Sequence, residues 1–313
     1  MSKKLFAILI LASIVLASVG SISAQQISQY RILDFAEPFA REGETMICNG
    51  CYHYQDQPYW VVTFTMGSDV TGEIAIAANT GEVIKDENIA RKIIYASCVI
   101  NSIDQTVITE EISTAAALRG SASVSKGYSD TYREIANDPH IQKKLREYAN
   151  NAAASNQLIA DNYSACASLL DEIIDMENQF VGKSWNVEIT ELYLSKGDQF
   201  AHEYEILDKH IDKVEVDTVV LYDALIANTN DQTEKRELEN EKQYILDDLT
   251  TQHQTISSYL SSWESYKSDL DDLCEWEIEE MKDRFEVTET SGFEGIFAVA
   301  GLLIVIYLSR RRQ

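Results

Sequence analysis

From Ile141 to Phe180 the chain reads IQKKLREYANNAAASNQLIADNYSACASLLDEIIDMENQF. Apolar or small residues recur in this segment at alternating intervals of three and four positions, which is the spacing of a heptad seam. The spacing predicts a long helix that packs against other helices along its whole length. The seam positions are Ile141, Leu145, Tyr148, Ala152, Ser155, Ile159, Asn162, Cys166, Leu169, Ile173, Met176 and Phe180.

The residues around this seam extend the helical prediction in both directions. No proline follows Pro139, and only Gly182 and Gly197 interrupt the chain before residue 290, so its interior favours helix. Asp138 is the expected N-cap of the seam helix, with Pro139 at the first position. An earlier helix is expected over residues 86–118, ended by the breaker at residues 119–123.

The next two helices follow the same spacing. One has Phe200, Tyr204, Leu207, Ile211, Val214, Thr218, Leu221 and Leu225 in register, with an expected interruption at residues 195–198. The last continues to about Phe285. Short turns between long heptad helices indicate antiparallel neighbours. Residues 86–287 are therefore predicted to form an elongated antiparallel helical bundle or coiled coil, a stalk in a mostly α protein.

Residues 25–85 have a different pattern and predict a small α+β module. A helix begins near Ile27 and ends at Pro38, and β-branched and aromatic residues predict strands over residues 59–65 and 72–78. Asn79-Thr-Gly81 is a tight turn that precedes an extended segment. The order of elements and this turn resemble a PepSY-like module. The resemblance implies a regulatory or peptidase-inhibiting piece, and it transfers no catalytic residue.

Cys48-Asn-Gly-Cys51-Tyr-His53 is the segment whose residues could support the most kinds of chemistry. Haem attachment is excluded because Tyr52 separates the second cysteine from His53. A redox pair would need a βαβ setting, and a zinc site would need further ligands such as His53 and Cys98. The simplest prediction is a hairpin with Asn-Gly as its turn, in which Cys48 and Cys51 form a disulfide or remain thiols.

Other catalytic signatures are missing from the sequence. No histidine follows a glutamate at the Glu-x-x-His spacing of bundle di-iron sites, and His202-Glu203 lacks the second zincin histidine at position 206. The sequence therefore predicts neither a catalytic residue, nor a cofactor, nor a metal. Tyr259, Trp263, Tyr266 and Trp276 could line a ligand groove or belong to the bundle core.

The composition constrains the partners. The chain has 26 basic and 51 acidic residues, a formal net charge of −25. So acidic a surface repels phosphate backbones, which argues against binding to nucleic acids.

Both ends of the chain indicate export. Lys3 and Lys4, an apolar run and the small residues up to Ala24 predict a secretory signal peptide over residues 1–24. At the other end, residues 296–308 are apolar, Gly or Tyr, and Arg310, Arg311 and Arg312 follow. A helix of these residues is only about 20 Å long, against a hydrocarbon core of about 30 Å.

The tail over residues 288–313 is therefore a transmembrane helix or a sorting signal. The Gly292-Phe293 step, the short apolar helix and the terminal arginines resemble the PGF-CTERM sorting tail of archaeal surface proteins. The resemblance implies Ser291, Gly292 and Phe293 as the sorting motif, with serine where the family has proline. It also implies processing by an archaeosortase and replacement of the tail by a lipid anchor; the alternative is a plain single-pass membrane anchor.

These patterns together predict a non-catalytic cell-surface protein, exported and anchored to the membrane, whose stalk contacts an unknown envelope protein. The alternative is an extracellular enzyme or thiol redox protein that uses Cys48 and Cys51.

Overall fold

A computed structural model describes the backbone of residues 26–103, 105–180 and 185–310, and the side chains of the same residues except 105 and 287–310. The predicted signal peptide lies outside the described residues, as do the side chains of the predicted membrane tail. No helix in the described part of the chain is both long enough and apolar enough to cross a membrane.

The chain divides into two compact units. The first comprises residues up to Cys98, residues 184–187 and residues from Asp272 onward, and the second comprises residues 99–183 and 188–271. The division does not coincide with the predicted boundary between residues 85 and 86, because the first unit also contains most of the following helix and the end of the last one.

The first unit is built on a four-stranded sheet with the order β3-β2-β1-β4. Its strands and its first helices are α1 (Gln29–Ala36), β1 (Thr45–Tyr54), β2 (Gln57–Met66), β3 (Asp69–Ala77), α2 (Glu87–Ser102) and β4 (Trp185–Asn186). Strands β1, β2 and β3 pair antiparallel, and the two-residue β4 pairs parallel with β1. The α+β prediction for this region and the two predicted strands are confirmed.

The predicted hairpin at Asn49-Gly50 is wrong. Strand β1 continues through both residues, with only an irregularity in register between Cys48 and Gly50. The chain turns instead at Gln55-Asp56, where both residues have positive φ, 50° and 60°, as a two-residue turn of this kind requires. Gly50 has a different role: a Cβ there would lie 1.7 Å from Cζ3 of Trp185, so only glycine leaves room for β4.

A buried ion pair within this unit connects the last helix to the residue that precedes β1. The Arg284 side chain is 0% exposed, and its Nη1 and Nη2 donate to Glu44 Oε2 at 2.8 Å and Glu44 Oε1 at 2.9 Å. The guanidinium also donates to the carbonyl oxygens of Phe39 and Thr71, and it lies 4.1 Å from the centroid of the Phe64 ring. Hydrogen bonds from Arg284 hold the pKa of Glu44 at about 2.

The second unit is an antiparallel four-helix bundle, which confirms the mostly helical prediction. Its helices are α3 (Gln105–Asn137), α4 (Lys143–Phe180), α5 (Val187–Asn228) and the first part of α6 (Gln232–Arg310). Contacts between successive helices pair early residues of one with late residues of the next. Between α3 and α4 the contacts are Arg119–Asp171 and Ser129–Ala153. Between the α4 segment and α5 they are Asn162–His210 and Gln142–Asn228, and between α5 and α6 they are Asp198–Trp263 and Asp223–Lys242.

Three predicted helix boundaries are wrong. Helix α3 continues through the expected breaker, since one glycine costs a helix only about 1 kcal/mol and Gly120 faces open space. Asp138 accepts a hydrogen bond from the backbone nitrogen of His140, but α4 begins only at Lys143. Helix α5 is uninterrupted at Gly197. A Cβ there would lie 2.1 Å from Trp263 Cη2, so this glycine admits a tryptophan ring from α6.

The predicted seam of α4 is largely buried. Leu145, Ala152, Ser155, Ile159, Cys166, Ile173, Met176 and Phe180 are buried. Leu169, however, is only half-buried, and its neighbour Leu170 is 1% exposed. A helix in a four-helix bundle faces two neighbours, so it buries a wider face than the two heptad positions of a coiled coil.

Candidate functional site

A cavity of about 230 Å³ opens within the helical bundle. All four helices of this unit contribute to its walls, together with residues at the end of α2. The lining residues are Ser102, Ile103, Val107, Glu111, Ile173, Tyr193, Gly197, Tyr259, Ser262, Trp263 and Tyr266. Four of them are aromatic, one is acidic and none is basic. The cavity therefore combines π surfaces with a single ionisable carboxyl.

The aromatic walls are held in place by hydrogen bonds and packing. Trp263 Nε1 donates to Asp198 Oδ1 at 3.0 Å, and the indole ring occupies the space that Gly197 leaves open. The Tyr266 ring lies 5.5 Å from the Trp263 ring, and its hydroxyl is 2.9 Å from Ser102 Oγ. Three of the four residues that suggested a groove in the sequence thus line one cavity; the fourth, Trp276, belongs to the other unit.

Two glutamates lie together at this cavity. Glu111 lines it, and Glu177 is 0% exposed and accepts a hydrogen bond from the Tyr193 hydroxyl at 3.1 Å. The two carboxyl groups also hydrogen-bond to each other, which requires a proton on one of them, and apart from this contact neither Oε2 has a partner among the described residues. Burial, and then the adjacent Glu177 carboxyl, raise the pKa of Glu111 to about 9, and burial also raises the pKa of Glu177. At neutral pH the Glu111 carboxyl therefore retains its proton, which reduces the negative charge of the pair.

Sequence reasoning missed both glutamates. A glutamate in a helix is usually solvated, and these two stand in different helices that are far apart in the sequence. The signal that could have identified Glu177 is its place beside Met176 on the seam, because a residue next to a buried position can itself be buried on a wide helix face.

The predicted cysteine site differs from a reactive thiol pair. Cys48 and Cys51 are half-buried free thiols on β1, and Gln26 Nε2 donates to Cys51 Sγ at 2.9 Å. Burial raises the pKa of both thiols to about 11. Since the thiolate is the nucleophile, this shift in pKa lowers the fraction of reactive thiolate at neutral pH. The possible disulfide between them stays a prediction.

The predicted zinc ligands are not brought together in the described part of the chain. Cys98 is buried in α2, and the group of residues spaced to hold an ion is Asp212, Glu215 and His253 on the bundle surface. Exposed acidic groups of this kind are common without a metal.

The first unit contains a further pair of buried carboxyls. Glu73 is 5% exposed, and its Oε1 accepts hydrogen bonds from Thr63 Oγ1 at 2.7 Å and Asn49 Nδ2 at 3.2 Å. Glu277 is 3% exposed. Burial, and then the neighbouring Glu73 carboxyl, raise the pKa of Glu277 to about 8.

This raised pKa predicts how stability depends on pH. The folded state binds the Glu277 proton more tightly than the unfolded state, and this tighter binding contributes to the free energy of unfolding. The contribution is complete below the ordinary pKa of 4.5 and is lost as pH rises to about 8. In Glu277→Gln the free energy of unfolding is expected to fall less over this pH range, by about 1.4 kcal/mol for each unit of pKa shift that the substitution removes. Urea unfolding at several pH values checks this, with exposed Glu279→Gln as the control. Parallel curves for Glu277→Gln and the wild type would contradict it.

The sequence comparison concerns the other end of the chain. Residues 290–312 match the PGF-CTERM motif. The motif is a substrate tag for archaeosortase processing, and at the C-terminus it indicates a protein at the cell surface, anchored to the membrane through that end. Helix α6 continues to Arg310, but the side chains of Ser291, Gly292 and Phe293 lie outside the described residues. No curated protein and no solved structure matches the chain.

Proposed function

We propose that this is a non-catalytic archaeal surface protein whose tail is cleaved by an archaeosortase and replaced by a lipid anchor. The PGF-CTERM motif over residues 290–312 is the observation that carries the proposal. The apolar run over residues 296–308 is too short for a comfortable permanent span, which favours a transient membrane segment.

The bundle and the sheet unit then lie outside the cell, where they contact an envelope protein. The acidic chain, with its formal charge of −25, suits a partner that carries basic groups. The PepSY-like resemblance of residues 25–85 makes a regulatory contact part of the same proposal. Cross-linking on intact cells, followed by identification of the linked proteins, tests for such a partner.

The Cys-x-x-Cys spacing favours one alternative, an extracellular thiol redox protein. It requires Cys48 and Cys51 to cycle between thiols and a disulfide. The burial of both thiols supports the non-catalytic proposal instead. Thiol titration of the native protein before and after mild oxidation separates the two, because only the redox protein would lose two thiols reversibly.

Substitutions in the sorting motif test the processing. The double variant Gly292→Leu, Phe293→Ala is expected to leave a heavier species that retains the tail, because the archaeosortase no longer recognises the changed motif. The experiment needs an archaeal host, with and without its archaeosortase, and electrophoresis of membrane fractions.

Two control variants define the outcome. Glu294→Ala changes an adjacent residue and should be processed normally, and Ser291→Pro, which restores the family residue, should be processed at least as completely as the wild type. A plain membrane anchor predicts that all of these variants, with or without the enzyme, migrate alike. That result would overturn the proposed processing.

A further inference from the structure

We propose that the cavity in the helical bundle binds a small organic cation, an alkylammonium ion whose charged centre lies between the aromatic walls and the carboxyls of Glu111 and Glu177. The ligand class follows from the walls of the cavity, from the two glutamates and from the volume available.

The walls select the charge of the ligand. The cavity is lined by Tyr193, Tyr259, Trp263 and Tyr266, and aromatic faces attract cations through their negative quadrupole. None of the lining residues is basic, so an anion would meet no positive partner. An uncharged apolar molecule would fill the space but would add no favourable interaction with the Glu111 and Glu177 carboxyls.

The two glutamates provide the second, independent indication. Glu177 is fully buried in a bundle core, where its carboxyl accepts a hydrogen bond from Tyr193 and lies against the Glu111 carboxyl. A buried carboxyl pair costs stability unless it is compensated, and it persists in proteins chiefly where it has a use. An ammonium group beside the pair would compensate it, while the alkyl groups of the ligand contact the rings.

The volume limits the size of the ligand. A cavity of about 230 Å³ holds on the order of seven water molecules at about 30 Å³ each. This space accommodates an ammonium ion with a few small alkyl groups.

Binding should depend on pH through the carboxyls. The titratable groups that face the cavity are Glu111 on α3, Tyr193 on α5, and Tyr259 and Tyr266 on α6, with Glu177 of α4 behind them. Lys267 Nζ lies 5.8 Å from the Trp263 ring centroid, but it is paired with Asp198 at 2.7 Å. A cation favours the ionised carboxyl, so binding displaces a proton and strengthens as pH rises from 6 to 9, by up to about tenfold per unit.

Calorimetric titration of the full chain in a non-ionic detergent tests the proposal, with tetramethylammonium chloride as the probe. We expect saturable binding that is stronger at pH 8 than at pH 6. The uncharged molecule tert-butanol, of similar size, should bind at least about tenfold more weakly. This comparison uses the wild-type protein only, so it does not depend on how any variant folds.

Two variants locate the site. Glu111→Gln keeps the shape of the side chain and should weaken tetramethylammonium binding at pH 8 about tenfold or more and reduce its pH dependence, because Glu177 is then the remaining carboxyl that titrates. Glu110→Gln changes the exposed neighbour on the same helix and should leave both unchanged. Absence of saturable binding at pH 8, equal binding of tert-butanol, or an unaltered Glu111→Gln titration would overturn the proposal.

Discussion

Replacing Arg284 by methionine is expected to lower the free energy of unfolding of the first unit by about 3–5 kcal/mol. The substitution leaves the Glu44 carboxylate, whose side chain is 1% exposed, without its bidentate partner. It also leaves the carbonyl oxygens of Phe39 and Thr71 without these hydrogen bonds from the guanidinium. Urea denaturation, with hydrogen exchange of the β2 and β3 amides to report on this unit, measures the loss.

A more exposed ion pair, between Arg41 and Glu280 of the same helix, supplies the control. Arg41 Nη1 lies 2.8 Å from Glu280 Oε2, and the Arg41 side chain is 41% exposed. Arg41→Met should therefore cost only about 0–1 kcal/mol. The double variant Arg284→Met with Glu44→Leu should recover much of the loss, because it removes the uncompensated charge as well. Equal, small effects of Arg284→Met and Arg41→Met would show that the buried pair does not form.

Replacing Leu170 by aspartate should have a comparable effect in the second unit. Leu170 is 1% exposed on the buried face of α4, so the new carboxylate would be buried without a partner. We expect a loss of about 4 kcal/mol or more in the free energy of unfolding. The helical signal in far-ultraviolet circular dichroism during urea denaturation measures it.

Leu169→Asp makes the same chemical change one residue earlier. Leu169 is half-buried, and its aspartate can reach water by a small rotation, so we expect a loss of about 1–2 kcal/mol. The heptad register predicts a larger loss for Leu169→Asp than for Leu170→Asp, because it places Leu169 on the seam. A larger loss for Leu169→Asp than for Leu170→Asp would show that α4 packs in the coiled-coil register.

The helices could be predicted because their signals are local and repeated. The seam from Leu145 to Phe180 and the scarcity of proline and glycine both follow from the sequence alone. Two of the errors fell on glycines whose role depends on distant residues. Gly197 was taken as an interruption and Gly50 as a turn, but each leaves room for a tryptophan ring, Trp263 and Trp185 respectively.

Only the aromatic part of the candidate site could be predicted from the sequence. Tyr259, Trp263 and Tyr266 share a helix face, so their spacing predicts that they lie together. Glu111 and Glu177 meet only because α3 and α4 pack antiparallel, so that even the position of Glu177 beside the seam residue Met176 does not predict Glu111 as its partner. The same holds for Arg284 and Glu44, which are brought together by the fold of the first unit.

The mass of the intact protein isolated from cell envelopes tests the proposed surface anchoring most directly. Processing predicts a mature form that lacks the residues C-terminal to the Ser291-Gly-Phe293 region and carries an added lipid. An unmodified form that ends at Gln313 and retains Arg310, Arg311 and Arg312 as the major species would contradict it.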